Sequence, residues 1–215
     1  SIRGNPDEFI GEHLYNVGNL LGNNVDDLLI TVNFNTFSGG DRGTKLMDGS
    51  NGYILDQSLY RASQNSFYTF AEDLALGQFD PLNTSSFAYG APGISTRFNE
   101  QGAIFFLHGG VTGYIPGVPI YGQYEFEGLG ISLETLPRQT ASADTLIIGG
   151  YGELTYRDFS NANGSFDVPL PINNLFIGIG LAVTKTPSAD GTYQVWVSGL
   201  SDEEGESRVW ILSAR

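Results

Sequence analysis

The chain has 215 residues, with 10 Lys+Arg against 24 Asp+Glu, a formal net charge of −14 and no cysteine. So acidic a chain cannot neutralise phosphates, which excludes a nucleic-acid partner and argues against an anionic membrane surface. The lack of Cys excludes disulfides, thiolate catalysis and Cys-ligated zinc. Its 29 glycines, set among 40% hydrophobic residues, predict a turn-rich all-β protein rather than a disordered one.

The opening Ser-Ile-Arg-Gly-Asn-Pro has neither the basic start nor the apolar run of a signal peptide. An exported protein would therefore be present here in its mature or excised form. No run approaches the ~18–20 apolar residues of a transmembrane helix. The richest stretches, 103–107 and 175–183, are strand-sized, and Gly178 and Gly180 interrupt the second. No membrane insertion is expected.

Four short apolar strands follow in order: Leu28-Leu29-Ile30, Phe87-Ala88-Tyr89, Leu146-Ile147-Ile148 and Val195-Trp196-Val197. They begin at 28, 87, 146 and 195, so 59, 59 and 49 residues apart. Upstream of each lies another apolar stretch, around Leu14, Leu74, Leu133 and Leu181. Downstream of the second and fourth lie the runs 102–107 and 208–212. A repeat of ~50–60 residues holding several short strands has the size of a propeller blade. The spacing predicts one domain, 1–215, of four units at approximately 9–60, 61–120, 121–170 and 171–215. A β-sandwich with even strand spacing is the alternative.

The residues of these units resemble a known family. Phe87-Ala88-Tyr89-Gly90-Ala91-Pro92-Gly93, followed by Gly102-Ala103-Ile104-Phe105-Phe106-Leu107, is similar to the FG-GAP repeat of integrin α-like β-propellers. Phe9-Ile10-Gly11 and then Gly18-Asn19-Leu20-Leu21-Gly22-Asn23-Asn24-Val25-Asp26-Asp27 resemble the front half of that repeat and its calcium loop. The resemblance implies a β-propeller of four FG-GAP-like blades, closed as a small ring or forming part of a larger one. It also implies an extracellular or cell-surface protein used in adhesion.

Calcium is the cofactor the resemblance implies, and its loop positions map onto Asn19, Leu21, Asn23 and Asp27 in the first unit. In the fourth they map onto Thr186, Ser188, Asp190 and Gln194. The candidate ligands are thus Asn19, Asn23, Asp27, Ser188 and Asp190. Each loop offers a single carboxylate where calcium wants several among six to eight oxygens, so Asn and Gly turn chemistry without metal is the stronger reading. The run Asp48-Gly49-Ser50-Asn51-Gly52 also alternates oxygen donors, and its Asp-Gly and Asn-Gly dipeptides read first as tight turns.

Nothing in the sequence spells catalysis. The two histidines, His13 and His108, belong to no His-Glu-x-x-His helix, no Gly-x-Ser-x-Gly elbow is present, and 109–113 lacks the Lys-Ser/Thr of a phosphate loop. The chain is expected not to be an enzyme.

Segment 109–128 carries Tyr114, Tyr121, Tyr124 and Phe126 among glycines and prolines. Tyrosine-rich, turn-rich loops suit recognition, because Tyr offers contact area and a hydrogen-bonding tip at small entropic cost. Equally, the alternation of Tyr121, Gln123 and Glu125 against Gly122, Tyr124 and Phe126 predicts a half-buried outer strand. Tyr114, Tyr121 and Tyr124 are the candidate ligand-binding residues. The sequence thus leads to an adhesion, matrix or assembly protein that binds a protein partner, its own copies included, through blade loops and strand edges. A glycan-binding lectin is the alternative, and a polysaccharide-active enzyme comes third.

Overall fold

A computed structural model describes residues 8–34, 42–56, 73–79, 86–110, 113–137, 143–151, 153–159, 164–168, 175–184, 186–201 and 207–214. They form strands and turns, with no helix, in four separate antiparallel sheets, none of which closes on itself.

The first sheet is β1 (Glu8–Gly18), β2 (Asp27–Phe34), β3 (Arg42–Met47) and β4 (Ile54–Asp56), each paired with the next. The second is β5 (Leu74–Gly77), β6 (Ser86–Gly90), β7 (Ala103–Gly110) and β8 (Gly113–Pro116), with the short β9 (Ile120–Tyr121) also pairing β7. The third is β10 (Ser132–Leu136), β11 (Thr145–Gly150), β12 (Glu153–Asp158) and β13 (Gly164–Val168). The fourth is β14 (Leu175–Val183), β15 (Tyr193–Ser201) and β16 (Ser207–Ala214). A sandwich would need two facing sheets; the described residues build four.

Each apolar triad of the sequence repeat lies in the second strand of its sheet, and its alternation sets the packing. Side chains point to opposite faces at successive positions. Leu29, at the centre of the first triad, joins Leu46, Phe87, Tyr89, Phe105 and Leu107 in a core between the first and second sheets. Ala88, at the centre of the second, joins Ile104, Phe106, Leu133, Leu146 and Ile148 between the second and third. Ile147, at the centre of the third, joins Leu154, Val195 and Val197 between the third and fourth. The middle residue therefore faces the next sheet, and in the later triads the outer two face the one before. The sheets stack in chain order, so that the second and third are each buried on both sides by their neighbours.

The second, third and fourth sheets meet through their first strands, with β10 lying against both β5 and β14. Polar contacts pin this seam. Asp73, just before β5, takes the Leu133 amide at 2.8 Å, and the Thr135 hydroxyl donates to the Leu76 carbonyl at 2.7 Å. Farther along, a Cβ on Gly90 would stand 1.8 Å from the Gly130 carbonyl oxygen, so glycine there lets the second and third sheets close up. Three rings fill the same interface. Phe106 lies 6.0 Å from Phe79 and 5.3 Å from Phe159, edge-on to both.

Candidate functional site

Segment 122–128 is not the outer strand that its alternating pattern predicts; only Ile120 and Tyr121 pair with β7. The backbone is diverted by its own side chains and glycines. Glu127, almost fully buried, turns its carboxylate back onto the amides of Gln123 and Tyr124, the latter at 2.9 Å, and so withdraws both from any ladder. Gly122 packs where a Cβ would come within 2.0 Å of the Gln101 carbonyl oxygen. Phe126 has φ +58°, in the left-handed region that bulky residues avoid.

The loop is nonetheless firmly held. The amides of Phe126, Gly128 and Leu129 donate to the carbonyls of Asn99, Glu100 and Gln101 at 2.8, 2.9 and 3.1 Å. Beneath them the buried Gln101 side chain caps the Arg97 and Phe98 amides through Oε1 and donates through Nε2 to Thr96. From across the interface the Tyr151 amide donates to the Glu127 carbonyl at 2.7 Å. With its backbone so tied, the loop turns three aromatic side chains outwards. Tyr121 is 42% exposed, Phe126 54% and Tyr124 65%.

Below Tyr121 and Tyr124 a cleft of about 80 Å³ runs between the second and third sheets. Leu129 and Ile148 line it on the apolar side, and Glu127, Glu153, Thr155 and Arg157 on the polar side. Arg157 also lies 5.9 Å over the ring of Phe159. The structure thus brings Tyr121 and Tyr124 together at one cleft. Tyr114 stands on β8 opposite Gly109, and its side chain lies outside the described residues. Glu127, Glu153 and Arg157 were missed by sequence reasoning, because they come from a loop and a strand with no motif spacing between them. Phe126 belongs to the same exposed group.

The candidate calcium ligands sit differently. Asn19 and Asn23 lie on the β1–β2 loop and Asp27 opens β2, and folding joins them to the 48–52 turn. Asp27 accepts the Leu21 amide at 3.0 Å on one oxygen and the Gly49 amide at 3.2 Å on the other. Asn19 Oδ1 accepts the Asn23 amide and Asn23 Oδ1 the Val25 amide, at 2.9 and 3.0 Å. Asp48 accepts from the Ser50 hydroxyl and amide, from Asn23 and from Asn51. The Ser50 donors above all hold its carboxyl below the ordinary value of 3.8. Every one of these oxygens has an N–H or O–H proton directed at it, and Leu21 occupies a ligand position.

On the β14–β15 hairpin, Asp190 accepts the Ser188 hydroxyl and the Thr192 amide, at 2.5 and 3.1 Å, in a self-contained turn. Among the described residues no three His, Cys, Asp or Glu side chains cluster as a metal site would require. Neither loop fits calcium; both are turns closed by their own side chains.

A second, wider hollow of about 500 Å³ opens where the first hairpins of three sheets converge, lined by Val17, Leu76, Gln78, Ser86 and Asp144. The Gln78 amide already donates to Asp144 there at 2.9 Å. Of the histidines, His13 stacks on Tyr15 at 6.0 Å and His108 on Phe106 at 6.4 Å, on different sheets.

Among the described residues no helix is long and apolar enough to cross a membrane. No known family model matches the chain, and no curated protein matches it.

Proposed function

We propose that this chain is a propeller-like recognition protein of the cell exterior that binds a protein partner through the 121–126 loop and the cleft beneath it. The observation that carries this reading is the pinned loop with Tyr121, Tyr124 and Phe126 all turned to solvent. Exposing three large rings on a rigid backbone forgoes burial that a purely structural loop would take, while lowering the ordering cost of binding. Strained φ values such as that of Phe126 concentrate at functional sites for the same reason.

Four stacked antiparallel sheets, three of them meeting at their first strands, support the propeller-type arrangement, with its loops used for adhesion. The net charge of −14 and the two glutamates at the cleft favour a basic contact. A Lys or Arg side chain would lay its stem across Tyr121 and Tyr124 and its charge towards Glu127 and Glu153.

The test is selection of peptides from a random displayed library, followed by the double variant Tyr124→Ala/Phe126→Ala. Enrichment of Lys/Arg-containing peptides that bind the variant at least tenfold more weakly, its circular dichroism unchanged, is the expected result. Equal binding to both proteins would overturn the assignment. Exposed tyrosines also stack on sugar rings, so a glycan array run on the same pair tests the lectin reading. Saturable glycan binding lost in the variant would favour it.

A further inference from the structure

We infer that Asn51 is a self-modification site, closing on the Gly52 nitrogen to a succinimide that opens to aspartate or isoaspartate, with Asp48 as the latch that delays the reaction. Asn51 and Gly52 belong to the turn between β3 and β4, and both stand exposed. An Asn-Gly step is well suited to this chemistry, because glycine puts no side chain beside the attacking nitrogen. The space around Gly52 is open as well. Its φ is +75°, and beyond its chain neighbours no atom lies within 4 Å of where a Cβ would stand. Water and hydroxide therefore reach both reacting groups.

The step balances with water alone. Hydroxide takes the Gly52 amide proton, and the nitrogen lone pair attacks Asn51 Cγ. The N–Cγ bond forms as the Cγ–Nδ2 bond breaks, and Nδ2 leaves as ammonia with a proton from water. A second water then opens the ring at either carbonyl. Opening at Cγ restores the ordinary backbone and leaves aspartate. Opening at the backbone carbonyl routes the chain through the side chain and leaves isoaspartate.

The latch is what the fold adds. Asn51 Nδ2 donates to Asp48 Oδ2 at 2.8 Å, while Asn51 Oδ1 accepts the Tyr53 amide at 2.7 Å. The Gly52 N–H, whose proton must leave, donates to the Asp48 carbonyl at 2.8 Å. Asp48 thus holds both reacting partners, and is itself held by Ser50 and by Asn23 from the β1–β2 loop. Three hydrogen bonds of ordinary net strength delay the reaction on the order of a hundredfold relative to an unfolded chain. The product dismantles the latch. A carboxylate at position 51 sets a like charge against Asp48 where a donor had been. Isoaspartate also lengthens the turn that brings Ile54 opposite Met47. Conversion therefore loosens this corner of the first sheet irreversibly.

The experiment ages the intact chain in mildly alkaline buffer, folded and in guanidinium, and follows the exchange of ammonia for water by mass spectrometry. Tryptic peptide 46–61 carries Asn51 apart from Asn163-Gly164, the other Asn-Gly pair of the chain. Conversion in guanidinium is expected, slowed on the order of a hundredfold in the folded parent. Folded Asp48→Ala should convert about tenfold faster than the folded parent. Asn51→Asp, which carries the product's charge, should melt below the parent at neutral pH. No conversion of Asn51 in guanidinium overturns the site, and equal rates in the folded and unfolded parent overturn the latch. A folded Asp48→Ala chain that converts as slowly as the parent removes Asp48 from the account. An Asn51→Asp chain that melts with the parent refutes the loosening. The first two readings use the parent alone, so a variant that fails to fold does not shield the inference.

Discussion

Asn23 and Asp48 lie 25 residues apart in sequence, yet Asn23 Nδ2 donates to Asp48 Oδ1 at 3.0 Å and locks the first hairpin of the first sheet to its third turn. Beside them a Cβ on Gly49 would fall 1.8 Å from the Asp26 carbonyl oxygen, so the two turns interlock through backbone as well. Two segments that each resemble a cation loop in isolation thus become one hydrogen-bonded knot.

Asp48→Ala should lower the melting temperature at pH 7, since four donors lose their acceptor. The sign with pH follows from the depressed folded-state value. The stabilisation is fully present above the ordinary 3.8 and is lost as pH falls through the lower folded value. Thermal melts of parent and variant should therefore converge in strong acid and separate above about pH 5.

Calcium should leave the melting curve where it is. Melts in millimolar calcium and in chelator are expected to superimpose, because the oxygens of Asn19, Asn23, Asp27, Ser188 and Asp190 already accept protein donors or belong to single-carboxylate turns. A rise in melting temperature with calcium that vanishes in Asp27→Asn would refute this assignment.

Glu134 on β10 behaves oppositely to Asp48. Burial pushes its carboxyl above the ordinary 4.5, with nearby Asp73 adding to the rise, while the amides of Thr135 and Val183 oppose it. Ionising it in the folded chain therefore costs stability, which is full below the ordinary value and declines as pH rises through the raised one. Glu134→Gln keeps an acceptor for both amides and removes the charge. It should melt a few degrees higher than the parent at pH 7 and at the same temperature in acid.

Gly90→Ala and Gly52→Ala separate two uses of glycine. At Gly90 the added methyl would meet the Gly130 carbonyl oxygen at 1.8 Å, forcing the second and third sheets apart, and the variant should be insoluble or lack a cooperative transition. At Gly52, φ is +75° and nothing lies within 4 Å of the new atom. Alanine there should cost only about 1 kcal/mol in urea unfolding.

Much of the fold is legible in four triads. Leu28-Leu29-Ile30, Phe87-Ala88-Tyr89, Leu146-Ile147-Ile148 and Val195-Trp196-Val197 mark the second strand of every sheet, because an unbroken apolar run is what a strand buried on both faces requires. The site was less legible. Tyr121 and Tyr124 stand out by composition, but the same six residues read equally well as an alternating strand. What defeats that strand is the Glu127 carboxylate, whose reach back to two amides has no periodic signature.

Composition, charge and period by themselves determined an acidic, cysteine-free, all-β chain of repeating strand units, since burial and alternation act locally and leave their mark residue by residue. Tertiary structure alone decided that the units become four stacked sheets, that Asp27 and Asp48 tie two distant turns together, and that Glu153 and Arg157 come to lie under Tyr124. Those outcomes depend on distances between segments far apart in the chain, and no local pattern records where such segments meet.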